Sequence, residues 1–165
     1  MADPSHEIAT LAGGCFWGVE DLIRELPGIV KTEVGYTGGM TIDPTYEEVK
    51  KGTTGHAEAI QIEFDPSYIS YESILDYFFK LHDPTTLNRQ GNDIGTQYRS
   101  SIFYHSDEQR KNALAVMERV EKSGKWKKPL TTELVPATKF YKAEEYHQNY
   151  LSKNPGGYTC HYIRE

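Results

Sequence analysis

The stretch EIATLAGGCFWG, residues 7–18, predicts a β-strand that runs through a glycine turn directly into an α-helix. Its first half, EIATLA, has the composition of a short strand and ends at two consecutive glycines. Apolar residues then recur at helical spacing until Pro27-Gly28 ends the pattern, namely Phe16, Val19, Leu22, Ile23 and Leu26. A strand and a helix in such close succession are typical of folds in which helices pack on a sheet.

The rest of the sequence continues this alternation. Asp43-Pro44 is expected to cap and begin a short helix that ends at Gly52. Longer helices are predicted over residues 70–82, 106–123 and 143–152, and further strands over residues 29–36, 56–64, 98–104 and 130–135. We therefore expect an α/β sandwich of about five strands, with helices packed on a mixed sheet.

Two segments carry no sustained periodicity. Residues 83–97, DPTTLNRQGNDIGTQ, form a loop whose length is usually associated with function in a compact domain. The end of the chain, KNPGGYTCHYIRE, is predicted to be an extended, loop-rich segment with a glycine hinge.

The composition disfavours several functional classes. The chain has 18 Lys and Arg against 24 Asp and Glu, and a net charge of −6 does not suit a nucleic-acid-binding protein, which needs a basic face. No apolar run approaches the roughly 20 residues of a membrane span, and the start MADPSHE lacks the features of a secretory signal. Two cysteines are too few for a disulfide scaffold or an all-cysteine zinc site, and a cytoplasmic location is expected.

Cys15 lies at the predicted start of the first helix. Unpaired backbone N–H groups and the helix dipole favour negative charge there, so the thiol is expected to ionise easily and to be accessible. Phe16 and Trp17 follow it directly and could form an apolar cup for a methyl group or a thioether. The alternative is a buried, inert cysteine.

Glu58 lies in the predicted strand HAEAIQIEF, residues 56–64. Strand alternation places it on the same face as Ile60, Ile62 and Phe64, where loss of hydration is expected to raise its pKa and keep the carboxyl neutral. A neutral carboxyl can donate a proton, and Tyr46 and Tyr98 are further candidate donors.

Cys160 supplies a second thiol near the end of the chain. If the first thiol became a sulfenic acid, Cys160 on a mobile segment could condense with it to a disulfide. The alternative is an incidental cysteine.

Four motifs in this order resemble those of the A-type peptide methionine sulfoxide reductases, over residues 8–162: GCFWG at 14–18, GHAEAI at 55–60, QGNDIGTQYRS at 90–100 and FYKAEEYHQNYL at 140–151. The resemblance implies a ferredoxin-like two-layer sandwich over residues 1–165, acting as a single catalytic domain. It implies reduction of the S epimer of methionine sulfoxide without a metal or an organic cofactor. The implied substrates are oxidised proteins or peptides, the implied reductant is a thioredoxin, with dithiothreitol as its substitute in vitro, and a monomer is expected.

The resemblance also assigns roles to individual residues. Cys15 would be the nucleophile, and Glu58 would protonate the sulfoxide oxygen, which Tyr46 and Tyr98 would also hydrogen-bond. Phe16 and Trp17 would enclose the substrate methyl group, and Asp93 would shape the pocket through hydrogen bonds. His147 is a further candidate substrate-binding residue. Cys160 would be the resolving thiol. Many members carry two recycling cysteines, so a relay through Cys160 alone is expected here, unless a small thiol or an external partner reduces the sulfenic acid.

Three other interpretations remain open. A cysteine hydrolase would pair Cys15 with His56 or His147 as the base. A peptide-binding module would use an aromatic groove to recognise methionine-rich segments. A zinc site could in principle use Cys15, His56, His147 and Cys160, although their spacing matches no compact ligand motif.

Overall fold

The sheet is built around the first strand predicted from the sequence. In the computed structural model, which describes residues 5–164, β1 spans Glu7–Gly13 and pairs antiparallel with a strand on each side. Its side chains alternate between two buried faces, because Ala9 and Leu11 pack in the main core and Ala12 packs on the opposite face.

Strands and helices alternate along the chain, as predicted. The strands after β1 are β2 Ile29–Thr37, β3 Ala57–Phe64, β4 Arg89–Gln90, β5 Asp93–Ile94, β6 Ser100–Tyr104, β7 Glu133–Pro136 and β8 Tyr141–Lys142. The α-helices are α1 Phe16–Ile23, α2 Tyr46–Lys50, α3 Tyr71–Leu81, α4 Asp107–Lys122 and α5 Tyr150–Lys153, and two 3-10 helices span Thr96–Tyr98 and Glu145–His147.

Within residues 5–164, six strands form one sheet in the order β7-β6-β1-β3-β2-β8. Neighbouring strands pair antiparallel except β6 and β7, which pair in parallel, so the predicted mixed sheet is confirmed. Five of these strands correspond to predicted ones, and the two-residue strand β8 was not predicted. β4 and β5 form a separate hairpin inside the predicted loop 83–97.

Helices α1, α3 and α4 cover one face of the sheet and enclose the main core. They bury Phe16, Val19 and Ile23 of α1, Ile74, Leu75 and Phe78 of α3, and Ala113 and Val116 of α4. Ile60, Ile62 and Phe64 of β3 pack against this layer, so Glu58 alternates onto the helix-covered face, as predicted. Fully burying one such apolar side chain contributes roughly 1.5–3 kcal/mol, and this packing fixes the start of α1 over β3.

The predicted start of α2 is wrong by two residues. Thr45 caps this helix, since its hydroxyl accepts a hydrogen bond from the Glu48 N–H at 3.2 Å while the Glu48 carboxylate accepts one from the Thr45 N–H at 3.0 Å. Asp43 instead has a φ of 48°. Pro44 therefore precedes the helix, which begins at Tyr46.

The strand predicted over residues 98–104 begins later than expected. Tyr98 ends the 3-10 helix Thr96–Tyr98, and the strand starts at Ser100. Tyr98 is consequently part of the connection between the hairpin and β6, where it faces the site described below.

The helix predicted over residues 143–152 is interrupted. Asn149 has a φ of 53° and separates the 3-10 helix from α5. The Gln148 amide accepts a hydrogen bond from the Val34 N–H and donates to the Val34 carbonyl, both at 2.9 Å. The buried Glu20 carboxylate accepts from the Asn149 N–H at 2.7 Å. These contacts with the sheet and α1 outweigh the local helical preference of the segment.

The end of the chain is extended but docked on the body of the protein. No helix or strand follows α5 up to residue 164, which confirms the predicted loop-rich segment. The Arg164 N–H donates to the Lys80 carbonyl at the end of α3 at 2.9 Å, and its guanidinium lies over the Tyr162 ring at 4.1 Å. Over the described part of the chain, every helix is too short or too polar to cross a membrane.

Candidate active site

The sheet and the first helix bring Glu58 to Cys15. Cys15 is the N-cap residue of α1 and lies one position before its first helical residue, Phe16. The backbone N–H of the next residue, Phe16, donates to Oε1 of Glu58 at 3.2 Å. The carboxyl of Glu58, 43 positions after Cys15 in the sequence, therefore lies at the N-terminus of α1, the helix that Cys15 caps.

Glu58 is predominantly protonated at pH 7. Its side chain is 2% exposed, and burial raises its pKa to about 8; the charge of Asp93 acts in the same direction, while the Phe16 N–H opposes it. The rise predicted from strand alternation is confirmed. A carboxylic acid with this pKa can hold a proton at neutral pH and release it to a bound substrate.

The thiol of Cys15 differs from its prediction in both exposure and ionisation. Only 8% of the residue is exposed, and burial raises its pKa far above the ordinary value; the negative charge of an ionised Glu58 raises it further, although the Trp17 N–H lowers it. The predictions of an accessible, easily ionised thiol are therefore wrong for the resting protein. Desolvation at this position outweighs the favourable field of the helix terminus.

Alkylation of the two thiols provides a test of this environment. Because Cys15 is buried and Cys160 is partly exposed, iodoacetamide at pH 8 is expected to modify Cys160 at least about tenfold faster than Cys15. The rates are measured by mass spectrometry of the two cysteine-containing peptides, with the unfolded chain in urea as the control, where the two rates should converge. Faster modification of Cys15 in the folded protein would contradict the burial described here.

Aromatic side chains form one wall beside the thiol. The Trp17 indole N–H donates to Nδ1 of His147 at 2.9 Å, and its ring stacks on Tyr150 with centroids 3.7 Å apart. The His147 ring is fully buried and lies 4.3 Å from the Tyr46 ring and 5.2 Å from the Phe16 ring. Phe16, Trp17 and Tyr46 thus meet around one imidazole, and a cup for the substrate methyl group stays a prediction.

His147 orients this wall. Since an indole only donates, Nδ1 of His147 must accept and the ring is neutral, and burial also lowers its pKa. Its side chain holds the ring plane of Trp17, a contact that the sequence did not indicate. Direct binding of substrate by His147 stays a prediction.

Tyr46 and Tyr98 lie near Glu58 and Cys15. Both are half-buried, and burial raises the pKa of each hydroxyl, as do the charges of Glu58 and Cys15. Both hydroxyls therefore remain protonated donors. The backbone of Tyr46 is fixed because its N–H donates to the Glu144 carboxylate at 2.9 Å, which also accepts from the Tyr36 hydroxyl at 2.8 Å.

Asp93 and Cys160 contact each other, and both lie near enough to Cys15 to affect its pKa. Oδ2 of Asp93 accepts from the Tyr158 hydroxyl at 3.2 Å and from the Cys160 thiol at 3.9 Å, and the thiol also contacts the Gln90 carbonyl at 3.8 Å. Burial raises the pKa of Asp93, whose charge in turn raises the pKa of Glu58 and of Cys15. Cys15 and Cys160 are both free thiols.

Four residues that support the site were not predicted from the sequence. Glu20, Glu144 and Gln148 fix residues 143–149 against α1, α2 and β2, and Tyr158 binds Asp93. The fourth motif contains Glu144 and Gln148, but their partners lie far away in the sequence. The position of Tyr158 two residues before Cys160 is the one local signal that could have indicated it.

The histidines of the alternative interpretations have other partners. Nδ1 of His56 accepts from the Gly39 N–H at 3.0 Å, and Nε2 bonds the Thr41 carbonyl at 2.7 Å. His147 is bonded to Trp17. Neither ring is therefore placed as a base for Cys15 by these bonds. Residues 5–164 contain no group of three or more His, Cys, Asp or Glu side chains that could hold a metal ion.

Comparison with known proteins gives the family. Residues 7–165 match the family model described as peptide methionine sulfoxide reductase. The peptide methionine sulfoxide reductase MsrA of Mycolicibacterium vanbaalenii is 54% identical over 159 residues, which cover 96% of this chain and 92% of that protein. The MsrA of Methanothermobacter thermautotrophicus is 56% identical over 150 residues, 91% of this chain and 89% of that protein.

A solved structure has the same fold. The crystal structure of Mxr1 from Saccharomyces cerevisiae in reduced form superposes with a TM-score of 0.93 at 43% identity, covering 100% of this chain and 96% of that chain. Mxr1 in complex with Trx2 superposes with a TM-score of 0.67 at 30% identity, covering 100% and 95%. The chain therefore belongs to the peptide methionine sulfoxide reductase family, and it is a thiol-dependent enzyme that reduces methionine sulfoxide to methionine.

Proposed function

We propose that the enzyme reduces the S epimer of peptide-bound methionine sulfoxide with Cys15 as the nucleophile, Glu58 as the acid and Cys160 as the resolving thiol. The observation that carries this proposal is the 3.2 Å hydrogen bond from the Phe16 N–H to Glu58, because it holds a neutral carboxyl beside the thiol. A sulfoxide sulfur becomes electrophilic when its oxygen is protonated, and Glu58 has the proton to give.

In the first step Glu58 gives one proton to the substrate and takes one from Cys15. Glu58 donates its proton to the sulfoxide oxygen as Cys15 attacks the sulfoxide sulfur, and the resulting carboxylate takes the proton of the Cys15 thiol. The oxygen moves to the sulfur of Cys15 while methionine leaves. Cys15 is then a sulfenic acid and Glu58 is neutral again, so that atoms and protons balance.

The walls of the site orient the substrate. The partly exposed Trp17 ring would contact the methyl group on sulfur, with the buried Phe16 ring supporting this wall, and the hydroxyls of Tyr46 and Tyr98 donate to the sulfoxide oxygen. Burial raises the pKa of Glu58, and the charge of Asp93 adds to that rise. A sulfur with an oxygen, a methyl group and a peptide side chain has one handedness that satisfies both contacts, so the proposal requires a single epimer, and the family resemblance implies that it is the S epimer.

The second step closes a disulfide. Cys160 gives up its proton and attacks the sulfur of the Cys15 sulfenic acid; the S–S bond forms, the S–O bond breaks, and the oxygen leaves as water with that proton. Thioredoxin then reduces the disulfide, which the structure of the relative Mxr1 in complex with Trx2 supports. Dithiothreitol can replace it in vitro.

This scheme needs no metal or organic cofactor beyond the thiol reductant. All of its residues, from Cys15 to Cys160, come from one chain, and we treat residues 1–165 as a single catalytic domain that acts as a monomer on oxidised proteins or peptides. Two free thiols suit the reducing cytoplasm, where we place the reaction.

The Cys160→Ser variant tests the two-step scheme. Given a peptide with the S epimer and thioredoxin as reductant, it should form one methionine per enzyme and then stop, because no disulfide is available for thioredoxin to attack. Methionine is counted by chromatography of the peptide, and dithiothreitol should restore turnover by reducing the sulfenic acid directly.

Two controls complete this test. The R epimer should yield no methionine with either reductant, and the wild-type chain should turn over the S epimer with thioredoxin. Sustained thioredoxin-driven cycling by Cys160→Ser would contradict the role of Cys160, and equal rates on both epimers would contradict the orientation of the substrate.

A further inference from the structure

The residues around Cys160 are docked against the start of α1. Nε2 of His161 donates to the Gly13 carbonyl at 2.7 Å, and the residue is 7% exposed. On the other side of Cys160, the Tyr158 hydroxyl donates to Asp93 at 3.2 Å. The resolving thiol is therefore held between an anchor on the turn that leads to Cys15 and an anchor on β5.

Two glycines beside Cys15 leave the space that this docking occupies. A Cβ atom on Gly18 would lie 2.3 Å from Nδ1 of His161 and 2.4 Å from Oγ1 of Thr159. A Cβ atom on Gly14 would lie 3.0 Å from Nε2 of His161. The His161 ring and Thr159 thus occupy the space beside Gly18, where no Cβ atom would fit. Beside Gly14 the Gln90 side chain lies nearer, at 2.7 Å, and the His161 ring is in tight contact, so Gly18 and Gly14 border a slot that fits the ring.

We infer that His161 is a positioning residue for the resolving step: its imidazole, seated in the slot formed by Gly14 and Gly18, holds Cys160 within reach of Cys15. The inference rests on the proposed function, since it concerns how fast Cys160 attacks the sulfenic acid of Cys15. It gives the glycines of the motif GCFWG a role in disulfide formation.

The chemistry of the docked segment fits this role. The Gly13 carbonyl requires a proton on Nε2 of His161, and burial lowers the pKa of the ring to about 4, so the anchor stays neutral and intact across physiological pH. Closing the disulfide is a reaction between two groups of one chain, whose rate depends on how often the thiol lies near the sulfenic sulfur. Removing one anchor lowers that frequency and leaves the chemistry of both sulfurs unchanged.

The test compares two rates in one experiment. The reduced full-length chain is mixed with excess peptide carrying the S epimer, without reductant, and samples are quenched and alkylated at increasing times. Methionine formation reports the chemistry of Cys15, and the loss of both free thiols by mass spectrometry reports disulfide formation. In His161→Ala the ratio of the second rate to the first should fall by at least about tenfold.

Conservative and opposite changes separate positioning from a general loss of structure. His161→Gln keeps an N–H donor at the position of Nε2 and should recover most of the ratio. Gly18→Ala fills the slot from the other side and should lower the ratio as His161→Ala does, which also tests the inference if His161→Ala fails to fold. His105→Ala removes a histidine that bonds Thr10, away from the docked segment, and should keep the wild-type ratio.

The outcomes distinguish this inference from the proposed function. An unchanged or higher ratio in His161→Ala would overturn the inference alone, as would a His161→Gln chain that is as slow as His161→Ala. A wild-type chain that forms methionine but no disulfide would overturn the resolving role of Cys160, and the inference with it.

Discussion

The Cys15→Ser variant is expected to form no methionine above the background without enzyme, in single turnover and with either reductant. In the proposed first step the oxygen of the sulfoxide is transferred to the attacking atom. Sulfur accepts that oxygen as a sulfenic acid, whereas serine would have to form a weak O–O bond. The measurement is the amount of methionine released from a sulfoxide peptide by a stoichiometric quantity of enzyme.

Cys160→Ser is the matched control for this prediction, because it removes the other thiol by the same substitution. It should release about one equivalent of methionine, as the two-step scheme requires. If Cys15→Ser released the same amount, Cys15 would not be the nucleophile.

Glu58→Gln should slow methionine formation in single turnover by about 10²- to 10⁴-fold, the usual contribution of a positioned acid. Glutamine retains the size of the side chain and can still accept the Phe16 N–H through its carbonyl, but it has no acidic proton to give. Substrate binding should change little, so the loss is expected in the maximal single-turnover rate. Rapid quench followed by chromatography measures that rate.

The dependence of the single-turnover rate on pH tests whether the protonated form of Glu58 is the active one. The active form of Glu58 is the protonated form, and its pKa is about 8, so the wild-type single-turnover rate should be constant at neutral pH and fall as the pH rises through about 8. Glu58→Gln should lack this decrease. Glu63→Gln, a change on the same strand outside the pocket, should keep both the wild-type rate and the wild-type profile. A wild-type rate in Glu58→Gln would remove Glu58 from the mechanism.

The periodicity of the sequence predicted those parts of the fold that depend on residues close together in the sequence. The alternation in β3 placed Glu58 on the helix-covered face together with Ile60, Ile62 and Phe64. The rise in the pKa of Glu58 could be predicted from this placement alone, because a carboxyl among apolar side chains loses its hydration. The helical spacing from Phe16 onward likewise predicted α1.

Contacts between distant parts of the chain could not be predicted in this way. Gln148 bonds Val34, and His161 bonds Gly13, across most of the sequence. The first contact interrupts a predicted helix, and the second docks a segment that was expected to be mobile. The ionisation of Cys15 was mispredicted for a related reason: the helix terminus is a local feature, whereas the burial that outweighs it comes from the whole assembled pocket.

The burial of the Cys15 thiol next to an un-ionised acid couples its reactivity to occupancy of the pocket. At rest, neither group offers a strong base to the other. In the proposed mechanism, the carboxylate that activates the thiol forms when Glu58 passes its proton to a bound oxygen. We therefore expect hydrogen peroxide, which does not take the proton of Glu58, to oxidise Cys15 slowly when no substrate is bound.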